Sequence, residues 1–207
     1  RIVSKIEELL SNIDSTKQSL IHTKLQLVLY RHSLLKSLIQ DKTKDWKSLQ
    51  LQEIGIWNGG GTPSKEESKY WENGTIPWIS PKDMTKLEID NSIDKITKKA
   101  LEESSAKLVK KNSILFVVRS SILRHTLPIA LTKIDVSLNQ DMKSLTPFDF
   151  ANPKYLLFAI FALREEIRRT CSKHGTTVQS IETTKLLKYK IPMPSLLEQD
   201  GLVVKIE

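Results

Sequence analysis

The chain of 207 residues contains one cysteine, no run of eighteen apolar residues and no visible secretory segment. A single cysteine excludes a disulfide framework and most zinc sites built only from protein ligands. The lack of a long apolar run excludes a helix that crosses a bilayer. We therefore expect no membrane partner and a cytoplasmic location. Because the chain begins with Arg1 rather than Met, we expect a fragment or a processed product.

The motifs of several enzyme classes are also absent. The sequence has no G-x-x-x-x-G-K-[ST] phosphate loop, no G-x-G-x-x-G motif after a strand and no G-x-S-x-G nucleophile elbow. The glycine-rich stretch 59–64 contains Pro63 and predicts a tight loop rather than a phosphate cradle. Cys171 and His174 offer two soft ligands, whereas structural zinc needs four. We therefore expect no catalytic residue, no metal and no cofactor.

Two short segments are similar to motifs of DNA-modifying enzymes but do not complete them. Asn152–Tyr155 is similar to the Asn-Pro-Pro-Tyr motif of amino-methyltransferases, with Lys154 in place of the second proline. A helix start, with an Asn cap and Pro at the first helical position, explains these residues. Glu67–Lys69 has the Glu-x-Lys spacing of a nuclease metal site, but it lies in a loop without the upstream strand aspartate.

Lysine and arginine (32) outnumber aspartate and glutamate (24), which gives a net charge of +8 and a pI of about 9.4. The basic excess is spread along the chain. A spread excess is also typical of an ordinary solvated surface, so the charge favours a polyanionic partner only modestly.

The first forty residues predict one long helix, because they contain neither glycine nor proline and show a seven-residue apolar repeat. The repeat predicts a coiled-coil seam that pairs with another helix. The alternative is a helix packed on its own domain. The seam consists of Ile6, Ile13, Leu20, Leu27 and Leu34.

From Trp46 onward the pattern changes to short strands and helices. The sequence predicts strands over 49–56, 76–79, 114–118, 129–132 and 136–138. Thr97 caps a short helix, and Asn152-Pro153 starts a helix that ends near Arg169. A short helix follows near 182–187, and the prolines of 191–194 fix an extended exit. Because no regular βαβ rhythm is present, we expect an α+β (mixed α/β) globular domain attached to a long coiled-coil-forming α-helix.

These patterns divide the chain into three predicted parts: 1–45 is a long spacer helix, 46–194 is a globular domain and 195–207 starts a second helix. The segment 2–7 (IVSKIE) matches 202–207 (LVVKIE) at an offset of 200 residues. This similarity predicts that the chain is one repeat unit of a larger protein with two units.

Polar side chains remain at strand ends and in loops. Arginine offers a rigid donor fork for guanine edges or phosphates, asparagine and glutamine match adenine, and hydroxyls suit phosphates. For any one residue alone, a capped turn or a solvated face is the simpler explanation. The candidates are Ser80, Lys82, Arg119, Ser121, Arg124, Asn139, Lys143, Lys173, Thr176 and Thr177.

Several short motifs also occur in a defined order along essentially the whole chain. They are Trp46…Glu53-Ile54, Gly60–Ser64, Tyr70-Trp71, Ile76–Ser80, Asp83-Met84, Ile96-Thr97, Ala100-Leu101, Ser113–Leu115, Arg119, Asn139–Asp141, Gly175–Ile181, Ile191–Pro194 and Glu198-Gln199. Each motif alone is weak. Together, their order and spacing resemble the DNA-specificity subunits of Type I restriction-modification systems.

The resemblance implies a non-catalytic target-recognition domain that reads one half of a split site in double-stranded DNA. It also implies long helices that bind methyltransferase subunits and pair with a second specificity half or with a homodimer partner. The ten polar candidates then become predicted DNA contacts, and the apolar seam becomes the helix-pairing surface. Family members often have glycines after the arginine that matches Arg119. This chain has none over 120–124, so no particular base contact is transferred to Arg119 or Arg124.

Two other functional classes remain as alternatives. A coiled-coil adaptor with a protein-binding globular head would have the same helix and a basic surface without sequence preference. A nuclease or methyltransferase would need the motifs whose absence is described above.

Overall fold

The computed structural model describes residues 1–41, 43–173 and 178–207. Helix α1 (Ile2–Ile39) is 38 residues long, which corresponds to roughly 60 Å at the rise of an α-helix. Only its carboxyl-terminal end packs on the rest of the chain, where Leu35 and Ile39 are buried. The predicted long amino-terminal helix is therefore confirmed.

The first and last strands of the globular part pair with each other. Strand β1 (Lys47–Gln50) runs antiparallel to β13 (Lys190–Met193), with Lys47 opposite Met193. Pro192 lies in this two-stranded ribbon, where a missing backbone N–H costs little because one edge is open. The pairing closes the domain just after α1 and just before the last helix.

A five-stranded sheet forms the main core. Its order is β2-β10-β7-β8-β4. The strands are β2 (Gly55–Gly59), β10 (Met142–Pro147), β7 (Ile114–Val117), β8 (Ile129–Thr132) and β4 (Glu88–Ile89). β7 and β8 are buried along their whole length, which explains why all their residues except Thr132 are apolar.

A four-stranded sheet lies beside the first and has the order β5-β3-β9-β6. The strands are β5 (Asp94–Ile96), β3 (Ile76–Ile79), β9 (Val136–Leu138) and β6 (Leu108–Val109). A small second core forms on this sheet around Trp78, Ile96 and Ala100. The short helix α3 (Lys98–Glu103) covers it, and its cap Thr97 accepts a hydrogen bond from the Ala100 N–H at 3.2 Å, as predicted.

The remaining elements surround the main sheet. They are α2 (Leu51–Ile54), α4 (Pro153–Cys171), β11 (Ser172–Lys173), β12 (Ser180–Ile181), α5 (Thr183–Lys188) and α6 (Leu196–Ile206). Helix α4 packs against the sheet and against α1 and α6. Asn152 caps α4 by accepting from the backbone N–H groups of Lys154 and Tyr155, as the sequence predicts. Together these elements confirm the predicted mixed α+β class.

The predicted strand over 49–56 is wrong in its middle. The helical turn α2 interrupts it, because the Glu53 carboxylate accepts from the backbone N–H of Gln50 at 2.6 Å and completes a capping box. Strand β10, which lies between β2 and β7, is not predicted by the sequence pattern. Within the described residues, no helix combines the length and the apolar character needed to cross a bilayer.

The backbones of the two sheets approach each other closely where Gly60 lies against Asn139. A Cβ added at Gly60 would lie 1.8 Å from the carbonyl oxygen of Asn139, whereas one added at Gly59 would meet only the Nζ of Lys143 at 3.7 Å. The neighbouring backbone is held by hydrogen bonds from Gly60 N–H to the Met142 carbonyl and from Gly61 N–H to the Leu138 carbonyl. Glycine is therefore required at position 60 and optional at position 59.

We predict that Gly60→Ala lowers the free energy of unfolding by about 1–3 kcal/mol or more, because backbone atoms must move apart to admit the methyl group. Gly59→Ala is the matched control, and we expect a change below about 1 kcal/mol, since a flexible lysine can move aside. Urea denaturation of both variants measures the difference. Equal losses of stability in the two variants would contradict this description of the contact.

Candidate nucleic-acid interface

The topology brings five strand ends to one edge of the molecule. In the main sheet, β2 ends at Gly59, which lies opposite Lys143, and β7 ends at Val117, which lies opposite Met142. Met142 and Lys143 are the first two residues of β10. In the second sheet, β3 and β9 are parallel and end together, at Ile79 and Leu138. The loops that follow these strands therefore form one continuous surface, which we call the strand-end surface.

A tight turn over 139–142 is the centre of this surface. The Met142 N–H donates to the Asn139 carbonyl at 3.2 Å, and the Asp141 N–H donates to the Asn139 side-chain oxygen at 3.0 Å. This is a β-turn reinforced by an Asx-type hydrogen bond. Gln140 lies at its exposed corner.

Two basic side chains lie in a row across three neighbouring backbone segments. Ser180 in β12 is paired with Lys173 in β11. On its other side, Ser180 forms an isolated antiparallel backbone bridge with Arg119. Directly paired residues point to the same face of a sheet. Arg119 and Lys173 therefore flank Ser180 on one face, and both are exposed.

A short 3-10 turn, Ser121–Arg124, continues from the row. Its side chains Ser121 and Arg124 are exposed, while Leu123 is buried beneath them. The guanidinium of Arg168 in α4 donates to the carbonyls of Leu123 and Arg124 at 3.3 and 3.2 Å. The turn is thus held against the end of α4, although it contains no glycine.

The cations of the strand-end surface are largely without acidic partners. Over residues 1–41, 43–173 and 178–207, Arg119, Arg124, Lys143 and Lys173 form no ion pair with a carboxylate. Lys82 differs, because its Nζ lies 2.8 Å from a carboxylate oxygen of Asp94. That hydrogen bond raises the pKa of Lys82, and the pairing neutralises much of its charge. Lys82 is therefore the weakest anion-binding candidate of the five.

Two predicted contact residues are placed differently from the expectation. Ser80 is 6% exposed and Asn139 is 7% exposed. The Ser80 hydroxyl and backbone N–H both donate to the Asp83 carboxylate, which caps the following 3-10 turn. Asn139 holds the turn described above. Both side chains position the surface from within and do not form its exposed part.

The candidates Thr176 and Thr177 lie outside the described residues, as does His174. Gln140 also belongs to this surface, although it is not one of the ten predicted contacts. Gln140 is exposed at the corner of the turn, and its side-chain oxygen accepts a hydrogen bond from the Thr62 hydroxyl. The available signal was Asn139 itself, because an Asx turn after a buried strand points the next side chain outward.

Two segments are similar to motifs of DNA-modifying enzymes, and both have structural roles in the fold. They are Asn152–Tyr155 and Glu67–Lys69. Tyr155 is fully buried, with its hydroxyl donating to the Pro192 carbonyl at 2.7 Å, so it cannot stack on a base. Lys69 pairs with Glu103 at 2.9 Å. Among the described residues, no group of three or more acidic, histidine or cysteine side chains is placed to hold a metal ion.

The predicted seam of α1 is solvent-exposed along its whole length. Its five side chains are between 46% and 66% exposed. Near the end of the helix, Leu35 and Ile39 supply the contact with the globular part instead. The face that packs on the domain and the face with the seven-residue repeat therefore use different residues.

Comparison with known proteins identifies the family. Residues 43–206 match the family model described as the Type I restriction modification DNA specificity domain. The chain is 47% identical over 180 residues to the Type I restriction enzyme EcoR124I/EcoR124II specificity subunit of Escherichia coli, covering 87% of this chain and 44% of that protein. It is 33% identical over 164 residues to the MjaIX specificity subunit of Methanocaldococcus jannaschii, covering 77% of this chain and 36% of that protein. The chain thus spans less than half the length of these relatives.

Solved structures agree on the fold. The HsdS subunit from Thermoanaerobacter tengcongensis superposes with a TM-score of 0.64 at 20% identity, over 100% of this chain and 48% of that one. A chain from a study of assembly and conformational transition in the type I R-M system superposes with a TM-score of 0.77, also at 20% identity, over 100% of this chain and 50% of that one.

Neither the family match nor these relatives support the alternative of a coiled-coil adaptor with a protein-binding head. The family match covers most of the chain, including both sheets and the strand-end surface. The chain therefore belongs to the Type I restriction modification DNA specificity domain family.

Proposed function

We propose that this chain is a sequence-specific DNA-binding module of a Type I restriction-modification specificity subunit, and that it reads one half of a bipartite site. One observation carries the proposal: the strand-end surface combines cations that form no ion pair with any described carboxylate and an exposed amide on a rigid turn. Such cations suit contacts with phosphate oxygens, and an exposed amide suits hydrogen bonds with base edges. The module is non-catalytic and recognises its site on behalf of the methyltransferase subunits.

The surface divides into two kinds of contact. Lys143 and Lys173 are flexible point charges that suit phosphates. Arg119 and Arg124 are rigid forks that suit guanine edges as well as phosphates. A surface of this kind reaches roughly three to five base pairs. Ser121 lies between the two arginines and adds a hydroxyl suited to a phosphate oxygen.

Helix α1 supports the proposed partners. Its exposed seam offers a long apolar strip to a helix of a second specificity half, or to a second copy of this chain. A helix of roughly 60 Å is long enough to hold two reading modules about one DNA turn (~34 Å) apart. The rest of the exposed helix remains available to the methyltransferase subunits.

A selection from random duplex DNA at low salt tests the central proposal. We expect enrichment of a short motif, or of two copies at a fixed spacing if two chains pair. Retention of DNA without enrichment would contradict sequence reading and leave only a basic surface. Absence of retention, both alone and with the methyltransferase subunits added, would overturn the proposal.

Arginine and lysine variants separate the two kinds of contact. We predict that Arg119→Ala or Arg124→Ala relaxes the preference at one base pair by about 1–3 kcal/mol. Lys173→Ala should instead weaken binding to all sequences alike and reduce the slope of log affinity against log salt by about 1. Lys24→Ala, on exposed α1 and away from the surface, is the control with the same charge change. The assignment is contradicted if Lys24→Ala and Lys173→Ala weaken binding equally, or if both arginine variants keep the motif unchanged.

The seam makes a prediction about assembly. If two copies pair through α1, the mass measured by sedimentation should rise with concentration towards a dimer. Ile13→Glu with Leu20→Glu should then keep the chain monomeric, because four carboxylates would be buried in the paired seam. Gln18→Glu is the matched control, since residue 18 lies on the opposite side of the heptad. A wild-type mass that stays monomeric at all concentrations would argue against the homodimer.

A further inference from the structure

The 3-10 turn Ser121–Arg124 presents two polar side chains side by side on the strand-end surface. In a 3-10 helix, side chains three residues apart lie one above the other. Ser121 and Arg124 therefore share one face of the turn, and both are exposed. The start of the turn is fixed by the main chain, because the Ser120 N–H donates to the Gln179 carbonyl at 3.0 Å. The position of the exposed face thus follows the backbone of the turn.

Arg168, in the last turn of helix α4, holds the other end of this backbone. The last carbonyls of a helical turn have no donor within the turn itself. The Arg168 guanidinium supplies one, since its Nη1 donates to the carbonyls of Leu123 and Arg124 at 3.3 and 3.2 Å. Arg168 therefore binds the main chain of the same residue whose side chain, that of Arg124, is presented to solvent.

A carboxylate of α4 fixes the Arg168 side chain in turn. Glu165, three residues earlier in the helix, accepts from the Nε of Arg168 at 2.9 Å. The other oxygen of this carboxylate accepts from the Thr126 hydroxyl at 3.1 Å and lies 3.8 Å from the Nε of Arg164. Glu165 thus orients Arg168 and also binds the chain two residues after the turn. We call Glu165, Arg168 and Thr126 the turn clamp.

We propose that Arg168 is a positioning residue for base selection and that it acts through Arg124. The inference rests on the proposed DNA-reading function. An arginine fork selects guanine when two of its donors reach N7 and O6 together, which requires the side chain to start from a defined position. A backbone held less firmly beneath Arg124 still allows contacts with phosphates but no longer favours the bidentate contact. The clamp therefore determines selectivity more than it determines affinity.

Matched variants at the end of α4 test the role in the full chain. In a selection from random duplex DNA, Arg168→Met should lower the guanine preference at one position of the motif by about tenfold. That position should be the one that Arg124→Ala also affects. Arg169→Met is the control, because Arg169 is exposed in the same helical turn and loses the same charge. It should leave every base ratio of the motif unchanged.

Two further variants separate positioning from charge. Arg168→Lys keeps the positive charge but loses the planar fork that binds the two carbonyls and Glu165 together, so the guanine preference should also fall. In a chain that already carries Arg124→Ala, adding Arg168→Met should change that position no further, because Arg168 acts through Arg124. Full preference in Arg168→Lys, or a further loss in the double variant, would overturn the inference.

Amide hydrogen exchange tests the clamp without DNA. The N–H groups of Leu123 and His125 donate to the carbonyls of Ser120 and Ile122 at 3.2 and 2.9 Å. Both amides should exchange several-fold faster in Arg168→Met than in the wild type, whereas Arg169→Met should leave them unchanged. Urea denaturation of the same variants shows whether a faster exchange reflects a loosened turn or a lost fold.

The outcomes separate this inference from the proposed function. If the wild type enriches a motif and Arg168→Met enriches it with the same base ratios, Arg168 does not position a reader, while the DNA-reading function stands. Unchanged exchange of the turn amides in Arg168→Met would show that the clamp does not hold the turn, whatever the DNA result. If the wild type enriches no motif at all, both the proposed function and this inference are overturned.

Discussion

The turn over 139–142 is the constraint on which the rest of the structure depends. It connects β9 of the small sheet to β10 of the main sheet, so its backbone hydrogen bonds fix how the two sheets meet. The carbonyl of Asn139 lies so close to Gly60 that no side chain fits between them. Because this contact is made by backbone atoms, it does not depend on the identity of the exposed side chains. The backbone contacts that hold the two sheets therefore involve different groups from the exposed side chains of the strand-end surface.

Much of the fold could be predicted from local pattern. A long stretch without glycine or proline and with a seven-residue repeat predicts α1, and the Asn-Pro start predicts α4. The buried strands β7 and β8 are apolar except for Thr132. Strand β10 could not be found in this way, because Lys143, Ser144 and Thr146 make its sequence look like a loop. Its place in the sheet comes from pairing with β2 and β7, which are distant in sequence.

The candidate site shows the same division between local and long-range information. Sequence motifs selected loops that the fold brings together, since Arg119, Lys143 and Lys173 all lie at one edge of the molecule. They could not distinguish buried from exposed polar residues within a loop. Asn139 and Gln140 are adjacent and chemically similar, yet one is buried in the turn and the other is exposed. That difference follows from the hydrogen bonds of the folded turn and not from residue type.

The proposed function implies a way in which one fold could read different DNA sites. The backbone of the strand-end surface is fixed by hydrogen bonds between main-chain atoms, so exposed side chains such as Ser121 and Arg124 can change without disturbing the sheets. The groups that must be retained are those that hold the frame, Gly60 and Asn139 among them. If the surface binds DNA as proposed, substitution at exposed positions changes which base edge meets a donor or an acceptor. The proposed function therefore assigns the target sequence to a few exposed side chains and stability to the groups that hold the frame.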